Sequence, residues 1–351
     1  MSEMDISLLK SPAVLVADLN GARRDMVFRA FAARPGIRVH SASTLSETFR
    51  LIEELVPQRV VIAEEIAQMK EFEILTRVLS MISAKAMIYG SNQQSALSFP
   101  VTRVSTPSTV DTLVRAVLSG LAPALRTSVS PRPVPAESNP ATPAKLISAA
   151  DMTRRVIGIG ASTGGIVAIE KVLRAFPADC PPTLVVQHIR SNFATRFIER
   201  IDSIVSPKVC VARDGEELRR GHVYIAADAE RHLGVVSRVG LRARLIDAPE
   251  VSGHRPSVDV LFNALSQVAK RYNISAALLT GMGADGADGM CALRASGAVT
   301  IAQDKATSVV WGMPQVAVQR GGATAVLPID RIGEALLMTE PARGRENGTL
   351  P

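Results

Sequence analysis

Residues 157–165 read Ile-Gly-Ile-Gly-Ala-Ser-Thr-Gly-Gly, and this stretch decides the fold of the half of the chain that contains it. The apolar, β-branched start at Val156–Ile159 predicts the end of a buried strand, and the three-and-four spacing of apolar residues over Ile166–Leu173 predicts a helix. Ser162 is therefore expected at a glycine-flanked strand-to-helix turn. The first amides of a helix are free donors with partial positive charge, so this turn suits a nucleophile that forms an oxyanion, or a bound phosphate.

Short motifs in this turn leave three interpretations open. Gly160–Gly164 matches the G-x-S-x-G pattern of a nucleophile elbow. Gly158, Gly160 and Gly164 nearly match the dinucleotide pattern G-x-G-x-x-G, although the third glycine falls one residue late, and Asp179 lies about twenty residues on, where a ribose-binding acid could sit. The third interpretation is an ordinary tight turn capped by serine.

Composition excludes several classes of protein. The chain has 351 residues, 47% hydrophobic and 21% charged, which is enough for two domains with sizeable cores. No apolar run approaches the ~20 residues of a membrane span, and the N-terminus lacks the pattern of a secretion signal, so we expect a cytoplasmic protein without membrane insertion. The cysteines (Cys180, Cys210, Cys291) are odd in number without metal-ligand spacing, which indicates free thiols and no metal site.

The charge balance does not indicate nucleic-acid binding. The formal net charge is +7, but the arginines are scattered and aromatic residues make up only 4% of the chain. Binding of nucleic acid by stacking needs aromatic side chains beside the positive charge. We interpret the charge as a solvated surface that can favour an acidic protein partner.

Proline marks the expected division of the chain. Residues 121–150 are rich in Pro, Ser and Ala and have no apolar periodicity, so they predict a semi-rigid linker. The predicted organisation is a first domain over residues 11–120, this linker, a second domain over 151–340, and a polar tail over 341–351. Strands and helices alternate in both domains, which predicts two doubly wound, mostly parallel α/β sheets.

The first domain resembles the flavodoxin-like receiver domain of two-component response regulators, in its order of elements and in its opening Val14–Asp18. The functional residues of a receiver are only partly present in this sequence. A receiver has an acidic pair that holds magnesium, whereas Leu19 follows Asp18 here; Glu64 stands at the phosphoacceptor position, and Thr106 replaces the lysine before Pro107. The resemblance therefore implies a degenerate receiver that serves in docking or regulation without phosphorylation.

Three strands of the second domain are expected to end in a reactive side chain: Ser162, His188 and Asp285. Sites in parallel sheets form outside the carboxyl ends of the strands, so these groups can meet despite their separation in sequence. A serine needs an adjacent base to become a nucleophile, and a histidine needs a carboxylate to fix its tautomer. The order Ser, His, Asp along this chain differs from the order Ser, Asp, His of the α/β-hydrolases, and this difference predicts a convergent triad.

The second domain resembles the catalytic domain of the chemotaxis protein-glutamate methylesterases (the CheB family). Several motifs in register, spanning most of residues 153–330, carry the resemblance. They are Gly158–Gly165, Gln187–His188, Asp214–Gly215, Gly221–Ala226, His254–Asp259, Leu279–Ala287, Ile301–Gln303 and Trp311–Pro314.

The resemblance implies hydrolysis of glutamate γ-methyl esters on chemoreceptors and deamidation of certain receptor glutamines. It makes Ser162 the nucleophile, His188 the general base and acid, and Asp285 the orienting carboxylate. It also makes the backbone amide of Met282 the oxyanion donor, and Thr163 a residue that positions His188. No metal or cofactor is implied. The implied partners are the cytoplasmic helical domains of methylated chemoreceptors, with a chemotaxis histidine kinase or another signalling protein as a candidate partner of the first domain.

Some residues and readings compete with this assignment. His222, His232 and His254 are interpreted as structural or loop residues, with His254 the strongest exception because its motif matches the family. Asp288 rivals Asp285 but lies outside the matching motif position. The alternative function is a catalytically idle scaffold that binds partners through the degenerate receiver.

Overall fold

The structure is a computed structural model that describes residues 12–69, 71–82, 84–90, 102–104, 110–119, 154–189 and 191–338. The predicted linker at 121–150, the polar tail at 341–351 and the Thr106–Pro107 pair lie outside the described residues. The predicted domain boundaries therefore stay predictions.

The first half of the described chain forms a five-stranded parallel sheet. Its strands are β1 (Ala13–Ala17), β2 (Arg38–Ala42), β3 (Arg59–Ala63), β4 (Lys85–Tyr89) and β5 (Thr102–Val104), and its helices are α1 (Gly21–Ala32), α2 (Leu45–Leu55), α3 (Glu64–Ala67), α4 (Phe72–Met81) and α5 (Val110–Leu118). The strand order β2-β1-β3-β4-β5 is the doubly wound, flavodoxin-like order that the sequence predicts.

The second half forms a seven-stranded parallel sheet. Its strands are β6 (Arg155–Ala161), β7 (Thr183–Gln187), β8 (Lys208–Val211), β9 (His222–Ile225), β12 (Asn273–Leu278), β13 (Val299–Gln303) and β14 (Ala325–Leu327), and β10 (His232–Arg238) with β11 (Gly240–Ile246) forms an antiparallel hairpin. The helices are α6 (Gly165–Arg174), α7 (Ser191–Asp202), α8 (Val258–Val268), α9 (Ala287–Ala295), α10 (Met313–Gln319) and α11 (Ile329–Met338). The strand order is β14-β13-β12-β6-β7-β9-β8. No helix of the described residues has the length and apolar character needed to cross a bilayer.

Strand β6 separates two layers of helices because its successive side chains point to opposite faces of the sheet. Ile157 and Ile159 pack in the hydrophobic cluster that contains α6, α7 and α11. The opposite face carries Gly158 and Gly160, against which α8 packs closely. A Cβ atom on Gly160 would lie 2.2 Å from Val258 Cγ1 and one on Gly158 would lie 2.6 Å from a Leu265 methyl. These two glycines serve helix packing, and they do not form a phosphate cradle.

The core of the first sheet is continuous with that of the second. Buried side chains of α2 and α4, including Phe49 and Leu75, belong to the same hydrophobic cluster as Ile166 and Ile169 of α6. The first half therefore packs onto α6, the helix that follows Ser162. Helix α2 itself begins after Thr44, whose hydroxyl accepts the hydrogen of the Glu47 amide at 3.1 Å and so caps the helix.

We expect Gly160→Ala to destabilise the protein by about 1–3 kcal/mol, because the new methyl group overpacks the contact between β6 and α8. Gly21→Ala is the matched control, since Gly21 begins α1 and its added Cβ would meet only Arg24 Nη2 at an ordinary 3.7 Å. Thermal unfolding of both variants measures the effect. Equal melting temperatures for the two variants would contradict the packing role of Gly160.

Candidate active site

The three predicted reactive residues lie at the carboxyl ends of three neighbouring strands. Ser162 directly follows β6, His188 directly follows β7, and Asp285 lies in the turn between β12 and α9. The chain leaves β6 on one side toward β7 and later returns on the other side as β12, so the switch point of the sheet lies here. Ligand sites of doubly wound sheets form at such a point.

His188 and Asp285 make a direct contact. His188 Nε2 lies 2.8 Å from Asp285 Oδ2, and the side chain of Asp285 is fully buried. Asp285 also accepts hydrogen bonds from the Ser257 hydroxyl (2.7 Å) and from the amides of Val258 (2.8 Å) and Asp259 (3.0 Å). The carboxylate therefore sits at the N-terminus of α8, where free amides and the helix dipole favour negative charge.

The charge of Asp285 follows from these contacts. Burial acts to raise the pKa of Asp285, but the hydrogen bonds from His188, Ser257 and the Asp259 amide outweigh burial and hold the pKa at about 2. Asp285 is thus a carboxylate at neutral pH. It can fix the tautomer of His188 and stabilise its cation.

The free nitrogen of His188 is Nδ1, because Asp285 occupies Nε2. Nδ1 is buried and has no hydrogen-bond partner among the described residues. The half-buried Ser162 lines the same cavity as His188, although no hydrogen bond joins its hydroxyl to the imidazole in the described chain. In unliganded enzymes this contact is often long and tightens only when substrate binds.

The predicted oxyanion donor lies in a turn that packs on Ser162. A Cβ atom on Gly281 would lie 2.7 Å from Ser162 Cβ, so only glycine permits this approach. The turn is tied down by hydrogen bonds from the Gly281 amide to Val310 O (3.0 Å) and from the Met313 amide to Gly281 O (2.9 Å). Met282 follows, 46% exposed and lining the cavity, and its amide donates no backbone hydrogen bond within the described residues.

The other predicted residues have different surroundings. Thr163 is buried beside the cavity, but no hydrogen bond joins its hydroxyl to His188 among the described residues, and its positioning role stays a prediction. Asp288 is exposed and pairs with Arg320, away from His188. His232 is buried, accepts the Ser257 amide hydrogen on Nδ1 at 3.1 Å and contacts Pro249 O through Nε2, so it is structural.

The cavity at the strand ends has a volume of about 600 Å³ and takes part of its lining from the first half of the chain. Helix α2 contributes Arg50, Glu53 and Glu54. Glu53 is only 5% exposed, and its Oε1 accepts the hydrogen of the Gly164 amide at 3.3 Å. Burial with so little compensation raises the pKa of Glu53 to about 8. A carboxyl group of the first half thus contacts the turn that carries Ser162.

The acidic pocket of the first half is occupied by protein groups. Asp18 is buried and accepts hydrogen bonds from Arg23 Nε (2.6 Å), Arg23 Nη2 (2.8 Å) and the Tyr89 hydroxyl (2.5 Å). Arg23 Nη2 also contacts Glu65 at 2.7 Å. Burial acts to raise the pKa of Asp18, but the bonds from Arg23 and Tyr89 prevail and lower it.

These contacts do not fit the magnesium ion that a receiver fold implies. A magnesium site needs carboxylate oxygens that are free to coordinate the ion, and the guanidinium of Arg23 already uses both oxygens of Asp18. Glu64, at the predicted phosphoacceptor position, follows β3 directly as the first residue of α3 and is buried.

A parallel doubly wound sheet with a serine, a histidine and a buried carboxylate at adjacent strand ends defines a serine-hydrolase arrangement. Residues 157–336 match the family model described as CheB methylesterase. The chain belongs to the CheB methylesterase family.

Relatives extend the similarity over nearly the whole chain. A protein-glutamate methylesterase/protein-glutamine glutaminase of Agrobacterium fabrum is 34% identical over 94% of this chain and 97% of its own length. One from Caulobacter vibrioides is 33% identical over 94% and 98%. The crystal structure of the Thermotoga maritima CheB methylesterase catalytic domain is 34% identical, with a TM-score of 0.50, and the match covers 52% of this chain and 97% of that chain.

We expect the contact between Glu53 and the Ser162 turn to weaken as pH rises. The pKa of Glu53 is about 8 in the docked protein against an ordinary value of 4.5, so the docked state holds a proton that an undocked state has lost. The free energy that favours the docked state is largest below pH 4.5. It falls by about 1.4 kcal/mol per pH unit until the pH passes the pKa of Glu53 in the docked state. Small-angle scattering or limited proteolysis across this range measures the separation of the two halves.

Glu53→Gln should remove this pH dependence, because the neutral amide cannot ionise. Glu54→Gln is the matched control: Glu54 is the adjacent residue, its carboxylate is partly exposed, and it pairs with Arg50. A pH response that survives in Glu53→Gln would show that another group governs the contact.

Proposed function

We propose that this protein hydrolyses the γ-methyl esters of glutamate side chains on chemoreceptors, and that it deamidates receptor glutamines at the same site. The observation that carries the proposal is the His188–Asp285 pair beside Ser162 at the switch point of the sheet. Relatives matched over nearly their full length are named for both activities. The methylated cytoplasmic domains of chemoreceptors are the proposed substrate.

The proposed reaction begins with Ser162. Its hydroxyl attacks the ester carbonyl while His188 Nδ1 takes the proton, and Asp285 stabilises the resulting imidazolium through Nε2. The carbonyl oxygen becomes an oxyanion that accepts a hydrogen bond from the Met282 amide. Collapse of the tetrahedral intermediate breaks the bond to the methoxy group, which leaves as methanol with the proton from His188.

The second half of the reaction frees the enzyme. Water attacks the glutamyl ester on Ser162 while His188 accepts a proton from the water. The second tetrahedral intermediate expels the Ser162 oxygen, which regains its proton from His188, and the glutamic acid product releases its remaining proton to solvent and leaves as a carboxylate. With a glutamine substrate the first leaving group is ammonia, and all later steps are the same.

Ser162→Ala should abolish methanol release, because no other group in the mechanism can form the acyl-enzyme; loss of a serine nucleophile lowers kcat by about 10⁶-fold. Methanol released from methylated receptor preparations measures the activity, and circular dichroism checks the fold. Ser266→Ala is the matched control, because Ser266 lies on α8 and its hydroxyl donates to the backbone oxygen of Asn263. Undiminished release by Ser162→Ala would overturn the assignment.

The first half is proposed to act as a regulatory or docking domain without aspartyl phosphorylation. The support is the engagement of Asp18 by Arg23 and Tyr89, together with glutamate in place of aspartate at position 64. A chemotaxis histidine kinase or another signalling protein is a proposed partner of this half. A scaffold without catalysis is disfavoured because Asp285 and His188 are arranged for proton transfer.

Acetyl phosphate with magnesium should leave the rate of methanol release and the mass of the protein unchanged, since Arg23 holds the oxygens that would bind the metal. Activity assays and intact mass spectrometry of the full chain measure this, with a receiver that retains its acidic pair as positive control. Faster release together with phosphate on Glu64, or on another residue of the first half, would contradict the proposal.

A further inference from the structure

A second histidine lies face to face with His188. The ring centroids of His188 and His254 are 3.8 Å apart and the ring planes differ by 18°. Both residues line the cavity that contains Ser162. We propose that His254 is a positioning residue of the reaction, whose ring holds the face of His188 while Asp285 holds its edge. This inference rests on the proposed function for its catalytic consequence.

The physical need for such a contact follows from the hydrogen bonds of His188. Its bond to Asp285 fixes one edge of the ring, but an imidazole held at one nitrogen can still tilt about that bond. The stacked ring of His254 restricts that tilt and covers one face of the imidazole. A displacement of about 1 Å in a reacting group can reduce the rate by about 10²-fold, so restricting this motion matters.

The backbone around His254 is built to hold this ring. The amide of His254 donates to Val251 O (3.0 Å), and the amide of Val251 donates to His254 O (3.1 Å). The turn between them places Ser252 and Gly253 in the left-handed region, with φ of 55° and 74°. Ser252 Oγ donates to Asp259 Oδ2 at 3.1 Å, which ties the turn to the first residues of α8.

The same segment also holds Asp285. Three residues after His254, Ser257 donates its hydroxyl to Asp285, followed by the amides of Val258 and Asp259. Residues 251–259 therefore supply both the ring on the face of His188 and the donors that fix its carboxylate partner. A chance contact of two surface side chains would have no such link to the catalytic groups.

His254 does not act as a second base in this arrangement. Its ring lies against the face of His188, and within the described residues it makes no hydrogen bond that could carry a proton. Nδ1 of His188, the nitrogen left for Ser162, lies at the ring edge. The contribution of His254 is therefore the placement of His188.

The stack is favourable only while His254 is neutral. When His188 takes the proton of Ser162 it becomes a cation, and a second cation against its face would oppose proton transfer. Burial and the neighbouring His188 lower the pKa of His254, whereas Asp285 and Glu250 act to raise it, and the net direction is downward. The Arg255 guanidinium donates to the carbonyls of Ala229 and Ala248. At acidic pH, protonation of His254 should therefore lower the activity further, as a second titrating group.

Two substitutions of His254 separate the effect of its flat ring from the effect of its protonation. His254→Phe keeps a flat ring that cannot ionise, and His254→Leu removes the flat ring. His222→Leu is the matched control, because His222 stacks on Tyr224, with centroids 5.9 Å apart, and not on His188. The full chain is assayed for kcat and KM of methanol release from methylated receptors across the pH range, and the ring-proton resonances of His188 are recorded by NMR in each variant.

We expect His254→Leu to lower kcat about tenfold or more with little change in KM, and His254→Phe to stay within a few-fold of wild type at alkaline pH. The acid limb of the pH profile should be steeper in wild type than in His254→Phe, which has lost the second titrating group. By NMR, the ring protons of His188 should keep a ring-current shift in His254→Phe and lose it in His254→Leu, in which no flat ring lies on the face of His188. Melting temperatures report folding.

Two results would overturn the proposal. Wild-type kcat and pH profile in His254→Leu would show that the stack does not matter. Equal impairment of His254→Phe and His254→Leu would show that a polar group, and not a flat ring, is needed. The NMR measurement requires no substrate, so it tests the stack even if no protein in the series releases methanol, a result that would refute the proposed function alone.

Discussion

The site depends on one buried negative charge. Asp285 is taken out of water at the strand ends, and such a charge is stable only where hydrogen bonds replace its hydration. The first residues of α8 provide them, with the Ser257 hydroxyl and two backbone amides. Asp285 Oδ2 also contacts His188 Nε2, so the carboxylate leaves the other nitrogen, Nδ1, for the proposed proton transfer from Ser162.

The position of that helix is in turn determined by strand β6. Helix α8 can deliver its N-terminus to Asp285 only by crossing close to the sheet, and Gly158 and Gly160 leave the space for Leu265 and Val258. The glycines that suggest a phosphate site in the sequence are therefore part of the packing that supports the carboxylate. The same stretch that ends in Ser162 thus also fixes the helix that holds Asp285, the hydrogen-bond partner of His188.

The sequence predicts the elements well and the contacts between them less well. Periodicity and strand-end positions place Ser162 and His188 at one edge of the sheet, because alternating strands and helices leave few arrangements. The donation by Ser257 and the stacking of His254 depend on how a loop folds back over the edge, and no local pattern encodes that path. In the first half, the sequence shows a missing acid beside Asp18, but only the structure shows that Arg23 binds both its oxygens.

Two buried carboxyl groups near Ser162 have different hydrogen-bond surroundings, and their pKa values shift in opposite directions. Asp285 receives several donors and stays ionised, with a pKa of about 2, as its proposed orienting role requires. Glu53 comes from the first half and, among the described residues, receives a hydrogen bond only from the Gly164 amide, so burial keeps it protonated near neutral pH. A receiver fold normally transmits the charge of a phosphoryl group, but here the acidic pocket is closed by Arg23. Under the proposal that the first half acts without phosphorylation, the contact of α2 with the Ser162 turn responds to changes at that interface itself, such as a bound partner or the ionisation of Glu53.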